Sequence, residues 1–386
     1  MSSLKIFHSI ESVNRDDWDF LAHDQVLMRH GWLKTVEQTY SGRLSPRYVI
    51  LYESARPVAA TAYRQINSAD GFTNFDYFLF GGLKPYLSRL GISSLPMIAL
   101  MPSKGYPPAF LTGLPSDPAA AQKKLQTLLG AIHDHGCRGK MPVAFTKVSG
   151  DDREAIRLLR RNGYTRIIAA PLAYMDIVWS SFSDYRKDTS RISKNLRRKI
   201  NWEVNRNRKE GIEIVVLENL RGYEDRLYRL LTLNAARHNM AVPTFDRNFF
   251  KVLSENMPNE ARVYAAFKKG ELVGMSLFMA HGAIWHALLV GIDHHLTGND
   301  LTYFNIVFYR PIRDAIEAQC KRIYYGNSLY EPKIRRGCQL LRVYTYYKPY
   351  SRIGRMGARP FFFVHRAWNR GKRPLSVRQQ LKSTRA

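Results

Sequence analysis

The 386-residue sequence predicts an α+β protein made of two similar halves, each with a mostly antiparallel sheet. Two observations support this prediction: a similar order of strand and helix patterns occurs in both halves, and a strongly basic segment divides them. Hydrophobic residues make up 45% and aromatic residues 12% of the chain, which is enough to build hydrophobic cores. This composition excludes disordered, collagen-like and coiled-coil proteins, and the length predicts about two or three domains.

The second half shows the pattern most clearly. Short β-branched runs, helical periodicity and a Gly-containing turn at Gly270 alternate along it. The predicted elements are, in order, a strand at 212–217, helices at 223–238 and 248–256, hairpin strands at 263–267 and 272–279, a strand at 284–290, a helix at 302–318 and a closing strand at 322–325.

The first half contains similar pieces in outline, although few residues are identical between the halves. The predicted elements here are hairpin strands at 48–52 and 57–63, a helix at 119–135, a strand at 143–147 and a helix at 152–162. The repeated order indicates a duplicated fold rather than one large sheet.

The basic segment 186–209 contains ten Lys and Arg residues and two acids. Four apolar residues recur every four positions in it, which predicts one helix near 183–210, capped by Ser183 or Asp184 and ended by Gly211. The apolar stripe consists of Ile192, Leu196, Ile200 and Val204. We therefore expect lobes at 1–180 and 211–365, joined by this connector, with a mobile basic tail at 366–386.

The charge of the chain indicates its partners. With 59 Lys and Arg against 32 Asp and Glu, the formal net charge is +27, which favours polyanions such as nucleic acid or phosphorylated ligands. Three scattered cysteines, Cys137, Cys320 and Cys338, predict buried reduced thiols rather than a disulfide framework or a metal clip. The N-terminal residues lack a signal-peptide pattern and no run is long enough to span a membrane. We expect a soluble cytoplasmic protein in which peripheral membrane contact is possible.

Several longer stretches carry a resemblance to a known family. They are SRISKNLRRKINWEVNRNRKEGIEIVV from Ser190, RHNMAVPTFDRNFF from Arg237, FKKGELVGMSLFMAHGAIWHALLVGID from Phe267 and AIEAQCKRIYYGNSLYEPKIRRG from Ala315. In order and spacing this half resembles the GNAT acyltransferase superfamily, specifically its Fem-like branch. FDYFLFG at 75–81 and PPAFLTG at 107–113 are similar to bacterial peptidoglycan biosynthesis or recognition proteins. The resemblance implies two tandem GNAT-like lobes with mixed, mostly antiparallel sheets.

The resemblance also implies an N-acyltransferase that forms an amide on a primary amine of a small-molecule or cell-envelope acceptor. The loop HHLTGNDLTYFN at 294–305 departs from the Gly-rich pyrophosphate loop of coenzyme-A users, since it has one Gly and no basic lead residue. We therefore expect aminoacyl-tRNA as the first donor and acyl-CoA or an acyl carrier protein as the second, each a co-substrate, with no tightly bound cofactor. A non-catalytic nucleic-acid or anionic-surface adaptor on degenerate lobes is the alternative.

Three residues are candidates for catalysis: Lys333, His286 and Glu331. Lys333 matches the family's loop lysine, while an imidazole or a carboxylate can deprotonate an amine. Asp293 is a further candidate base, although an acid at the end of a strand is more often a turn residue. The candidates for binding donor or phosphate are Arg335, Arg336, Asn299, Tyr330, Arg197 and Arg198. The pair His294 and His295 has no third ligand at metal-binding spacing, so we expect no metal.

Overall fold

The computed structural model describes residues 2–362 except 68–78, 81–82, 90–92, 101–104, 114–116, 241–242, 244, 353 and 359. The strands of this part of the chain, in chain order, are β1 Ser2–Phe7, β2 Ser45–Glu53, β3 Arg56–Ile66, β4 Met97–Leu100, β5 Leu111–Thr112, β6 Val143–Ser149, β7 Thr165–Ile168, β8 Leu172–Asp176, β9 Ile212–Leu217, β10 Ala261–Lys268, β11 Glu271–His281, β12 Ile284–Ile292, β13 Arg322–Gly326, β14 Gln339–Leu341 and β15 Val343–Lys348.

The helices of the described residues are α1 Arg15–Ala22, α2 His30–Thr39, α3 Lys84–Arg89, α4 Pro118–Arg138, α5 Arg153–Arg161, α6 Phe182–Lys187, α7 Lys194–Lys209, α8 Glu224–Arg237, α9 Phe249–Asn256, α10 His294–Thr297, α11 Thr302–Phe304, α12 Arg310–Glu317 and α13 Tyr330–Arg335. A π-helical turn, Asn305–Tyr309, joins α11 to α12. The predicted α+β class is confirmed, because both halves contain mixed sheets with helices.

The chain divides into two compact units, and the boundaries differ from the predicted ones. The first unit consists of Met1–Pro171 and the chain from Leu341 onward, and the second of Leu172–Leu340. The sheet of the first unit has the order β1-β2-β3-β4-β6-β15-β7, with β5 beside β3, and that of the second has the order β14-β8-β13-β12-β11-β10-β9.

An exchange of strands explains the shifted boundaries. β8 follows β7 along the chain but pairs with β13, whereas β15 follows β14 but pairs with both β6 and β7. The predicted lobes at 1–180 and 211–365 assumed that each sheet is built from one continuous stretch. Because hydrogen bonds between strands do not depend on sequence order, the chain pattern could not indicate this exchange.

Both sheets nevertheless share one topological feature, which supports the predicted duplication. Each sheet contains a parallel pair, β4 with β6 or β12 with β13, among strands that pair mostly antiparallel. In the first unit α4 and α5 pack on the sheet, with Leu128, Leu159 and Phe145 in one core. In the second unit α8 lies so close to β12 that a Cβ at Gly291 would be 2.7 Å from the backbone oxygen of Leu230. Only glycine fits there.

The basic segment is not the single helix that the sequence predicted. Helix α6 is capped by Ser181, and a separate helix, α7, begins after Ser193, whose hydroxyl accepts a hydrogen bond from the Leu196 amide at 3.3 Å. Ile192 therefore lies outside α7. The buried face of α7 continues from Leu196 and Ile200 to two polar residues, Glu203 and Asn207, instead of to Val204. Both helices belong to the second unit.

The remaining predictions about the chain had mixed outcomes. Cys320 and Cys338 are buried as expected, but Cys137 is exposed. After β15 the described residues 352, 354–358 and 360–362 are helical. The predicted tail at 366–386 and most of the FDYFLFG stretch lie outside the described residues. Within the described ranges no helix combines the length and apolarity needed to cross a membrane.

Candidate active site

The parallel pair β12 and β13 separates partway along its length. Backbone pairing joins Ile284–His286 to Arg322–Tyr324 and goes no further. β12 continues to Ile292 while paired with β11, and a register shift opposite Leu277 and Phe278 marks a bulge within it. The carboxyl-terminal part of β12 therefore has a free edge next to the end of β13. Diverging parallel strands of this kind provide an opening for a ligand at the carboxyl ends of strands.

Lys333 lies directly after this divergence. It belongs to α13, is 4% exposed, and its Nζ donates a hydrogen bond to the carbonyl oxygen of Tyr325 at 2.5 Å. Burial lowers the pKa of the Lys333 ammonium to about 8. Since an ammonium has three N–H donors, this contact leaves others for a second acceptor. Near neutral pH the group can both stabilise a developing negative charge and exchange a proton.

The surroundings of Lys333 are apolar and aromatic. The Tyr325 ring is stacked on Phe308 with centroids 5.0 Å apart, and the Tyr325 hydroxyl is buried without a hydrogen-bond partner among the described residues. Burial raises the pKa of the nearby Cys338 thiol to about 12, so this thiol stays neutral. Electrostatic interactions are stronger in such water-poor surroundings, which suits a residue that stabilises charge.

Arg336 was expected to bind phosphate, and the structure assigns it a structural role. Its guanidinium is 3% exposed, donates to Glu203 Oε2 at 2.7 Å and to the Tyr309 hydroxyl at 3.1 Å, and lies 3.6 Å from the centroid of the Phe304 ring. The Tyr309 hydroxyl also donates to the Glu203 carboxylate. This buried guanidinium is therefore held by protein groups: a carboxylate, a tyrosine hydroxyl, the carbonyl oxygen of Pro332 and an aromatic ring. Glu203, one of the two acids of the basic segment, is therefore the buried ion-pair partner of Arg336.

His286 was expected to act as a base, and its surroundings contradict that role. The ring is 4% exposed and stacks on Tyr324 with centroids 5.0 Å apart. Burial lowers the pKa of this imidazole to about 3, far below that of an amine. A neutral ring that binds protons so weakly is a core residue of the sheet and does not deprotonate an acceptor.

The other predicted residues lie at the surface or serve as caps. Glu331 and Arg335 form an exposed ion pair one helical turn apart on α13, each 64% exposed at the side chain. Asn299 and Arg198 are exposed, Tyr330 is half-buried, and Arg197 donates to the backbone oxygen of Ile192 at 2.8 Å. Asp293 caps α10 and pairs with Arg229 at 2.8 Å, so it is the turn residue rather than the base. The structure thus brings Lys333 and Arg336 together in the interior and leaves Glu331 outside.

Sequence reasoning missed one residue that bears directly on the donor. Asp300 is 3% exposed and its carboxylate accepts hydrogen bonds from the Thr302 amide at 3.0 Å and the Thr302 hydroxyl at 2.6 Å. It therefore lies at the amino-terminal end of α11, the second helix after β12. The backbone amides and the positive end of the helix dipole at such a position commonly bind phosphate, but here a carboxylate already occupies it. The Asp-x-Thr spacing was the sequence signal for this contact.

Among the residues that the structure describes, no group of three or more His, Cys, Asp or Glu side chains could hold a metal ion. His294 and His295 are both exposed on α10. Among the described residues, the site contains Lys333 and the backbone carbonyl of Tyr325 at the end of β13.

Comparison with known proteins places this geometry in a family. Residues 9–353 match the FemAB-like family, described as peptidoglycan biosynthesis/recognition. No curated protein matches the sequence. Among solved structures, FemX has a TM-score of 0.59 at 11% identity and covers 89% of this chain and 96% of its own.

Two further structures have the same fold. L-PGS from Bacillus licheniformis has a TM-score of 0.52 at 12% identity, covering 84% of this chain and 90% of its own. A tandem GNAT protein from the clavulanic acid biosynthesis pathway has a TM-score of 0.50 at 10% identity, covering 90% and 99% respectively. At such identities these likenesses concern the fold alone. Since the family match spans residues 9–353, the chain belongs to the FemAB-like family, and its two units form a Fem-like tandem of GNAT-type lobes.

Proposed function

We propose that this protein is an N-acyltransferase that moves an aminoacyl or acyl group from a carrier to a primary amine, and that the first donor is aminoacyl-tRNA. The observation that carries the proposal is the buried Lys333 ammonium at the end of β13, beside the diverging parallel pair. Membership of the FemAB-like family supports transfer chemistry, and the family's association with peptidoglycan biosynthesis or recognition supports a cell-envelope precursor as acceptor.

The reaction needs few groups from the protein. The neutral amine attacks the carbonyl carbon of the donor ester, a C–N bond forms, and the ester C–O bond breaks. The amine loses a proton and the leaving oxygen gains one. The Lys333 ammonium can donate a hydrogen bond to the oxyanion of the tetrahedral intermediate, and its lowered pKa lets it exchange a proton with the leaving oxygen.

The Asp300 carboxylate supports the choice of donor. A coenzyme-A pyrophosphate bound at the start of α11 would face this buried carboxylate, which already accepts a hydrogen bond from the Thr302 amide. An aminoacyl-tRNA does not need a pyrophosphate site there. Acyl-CoA and an acyl carrier protein are therefore the second choice of donor.

The test is single-turnover transfer from a pool of tRNA charged with labelled amino acids to an amine panel that includes cell-envelope precursors. We expect product with the native chain and a loss of about 100-fold or more in rate for Lys333→Met, which retains side-chain length but removes the amine. The control is Lys321→Met, because Lys321 is an exposed lysine of the same unit. Thermal unfolding shows that both variants are folded.

Each outcome has a clear meaning. A Lys333→Met variant with the native rate would show that the site assignment is wrong. Transfer from acyl-CoA but not from tRNA would reverse the order of donors. Nucleic-acid binding without transfer from any donor would favour the adaptor, which the large surplus of basic residues supports.

A further inference from the structure

A groove in the first unit contains a concentration of positive charge that the proposed chemistry does not use. It has a volume of about 610 Å³ and lies between α5 and the sheet edge formed by β15 and β7. We call it the arginine groove and define it by five arginines and one tyrosine: Arg153, Arg157, Arg160, Arg161, Arg166 and Tyr344.

The periodicity of α5 places four of these arginines in the groove. Ala155, Leu158 and Leu159 are buried against the first-unit core, so the arginines of the helix project from its exposed face. One wall of the groove lies where the backbone at Gly150 closely approaches that of Arg342: the Gly150 amide donates a hydrogen bond to the carbonyl oxygen of Arg342 at 2.7 Å. A Cβ at Gly150 would lie 2.9 Å from that oxygen.

The sheet contributes a stacked pair to the same groove. Arg166 lies on β7, and its guanidinium carbon is 5.0 Å from the centroid of the Tyr344 ring on the adjacent strand β15. A guanidinium above a tyrosine presents a flat polar and aromatic surface. This is the type of surface on which nucleic-acid bases stack.

None of the five guanidinium groups has a carboxylate within ion-pair distance among the described residues. The same segment does contain Asp151, Asp152 and Glu154, but none of them lines the groove, and Asp152 caps the helix by accepting from the Ala155 amide at 3.0 Å. The arginines at 153, 157 and 161 are successive i, i+4 neighbours, an arrangement in which like charges destabilise a helix. Folding does not require this concentration of charge, which indicates an anionic partner.

The chemistry of the groove favours a nucleic-acid backbone. Guanidinium groups bind phosphate in a bidentate manner, and all five cations are arginine rather than lysine. Their arrangement along one helix face, rising about 6 Å for every four residues, matches a series of phosphates rather than a single one. A concave groove is also poorly suited to the flat surface of a bilayer, whereas it accommodates a strand.

We propose that the arginine groove binds the phosphate backbone of RNA, with a base or ribose against Arg166 and Tyr344. The identity of this RNA rests on the proposed function: the groove holds the tRNA portion of the aminoacyl donor. It is separate in sequence from Lys333 and from the basic helix α7, both of which belong to the second unit.

The test measures binding of uncharged, fluorescently labelled bulk tRNA to the full chain between about 50 and 200 mM salt. The groove variant is Arg153→Gln with Arg157→Gln and Arg161→Gln. Its matched control is Arg56→Gln with Arg89→Gln and Arg226→Gln, three exposed arginines outside the groove, so both variants lose the same charge. We expect at least about 10-fold weaker binding for the groove variant, and a slope of log K against log salt that is smaller by about 2 to 3.

Two outcomes would overturn the proposal. The first is that the groove and control variants bind tRNA equally and with equal salt slopes. The second is that the groove variant no longer binds phosphatidylglycerol vesicles but binds tRNA as the native chain does. A third variant, Arg153→Lys with Arg157→Lys and Arg161→Lys, should keep the native salt slope because its charge is unchanged, while losing part of the affinity that bidentate guanidinium contacts supply. A salt slope as small as that of the glutamine variant would count against the proposal. Thermal unfolding of all variants excludes misfolding as the cause of lost binding.

This assay separates the groove from the proposed transfer function, because it measures the binding of uncharged tRNA and does not depend on transfer. If the native chain catalyses transfer and the groove variant still binds tRNA as the native chain does, the groove proposal is wrong and the proposed function stands. If tRNA binding depends on the groove but no assay detects transfer, the proposed function is wrong and the groove proposal stands.

Discussion

Arg336 and Arg157 are the same residue type in opposite environments. Arg336 in the second unit is buried, ion-paired with Glu203 and packed against aromatic rings, whereas Arg157 in the first unit is exposed in a groove without a carboxylate partner. A buried and paired charge stabilises the fold only while its partner remains, and an exposed unpaired charge is available to a ligand. The environment of a basic residue therefore decides whether it serves the fold or binding.

The largest expected effect comes from breaking the buried pair. Arg336→Met leaves the Glu203 carboxylate buried without its cation, and we expect a loss of about 3–5 kcal/mol in the free energy of unfolding. Urea denaturation measures this loss. Arg335→Met is the control. Arg335 is next to Arg336 in sequence but exposed, and its ion pair with Glu331 contributes about 0–1 kcal/mol. Equal losses for both variants would show that burial does not distinguish the two arginines.

An intermediate effect is expected from the buried imidazole of the second unit. In the folded chain the pKa of His286 is about 3, compared with an ordinary value of 6.5, so between these values only the unfolded chain binds the proton. This group therefore lowers the free energy of unfolding as pH falls from 6.5 towards 3, by about 1.4 kcal/mol for each pH unit.

The variant His286→Phe retains the stacked ring on Tyr324 but cannot titrate. Urea denaturation at a series of pH values should give a shallower decline below pH 6.5 than in the native chain. His295→Phe, at an exposed position, is the control and should leave the decline unchanged. An identical decline in His286→Phe would mean that His286 is accessible to protons in the folded protein.

The smallest effect on stability is expected in the arginine groove. Arg157→Gln removes an exposed cation that has like-charged neighbours at 153 and 161, so the free energy of unfolding should change by less than about 0.5 kcal/mol. Urea denaturation of this variant beside Arg336→Met completes the comparison. A loss of several kcal/mol at Arg157 would make the groove a structural cluster and remove its interpretation as a binding surface.

Local patterns predicted the individual elements well. The strand at 212–217 has the observed bounds, and the hairpin around Gly270 and the helix at 152–162 differ from the structure by a few residues at most. These elements depend on alternation, periodicity and turn residues that lie close together in sequence. The basic helix was predicted less well, because Ser193 and Ser181 each begin a separate helix within what looked like one pattern.

The candidate site was predicted in part. The loop that holds Lys333 was identified because it resembles a loop of the Fem-like proteins. The structure places this lysine in a buried position beside the divergence of β12 and β13. Glu331 and Arg335 have the same sequence neighbourhood yet form an exposed pair. On a short helix, neighbours in sequence point in different directions, and only the packing of α13 decides which of them is buried.

The sequence by itself determined the α+β class, most elements, the duplication and the surplus of positive charge, because these follow from composition and short-range periodicity. Only the tertiary structure decided the exchange of β8 and β15, the pairing of Glu203 with Arg336 across 133 residues of chain, the carboxylate at the start of α11 and the assembly of the arginine groove. Except for the Asp300 carboxylate, which bonds Thr302 two residues away, these features join residues that are distant in sequence. Desolvation and hydrogen bonding set their chemistry, and both depend on neighbours that only the folded chain brings together.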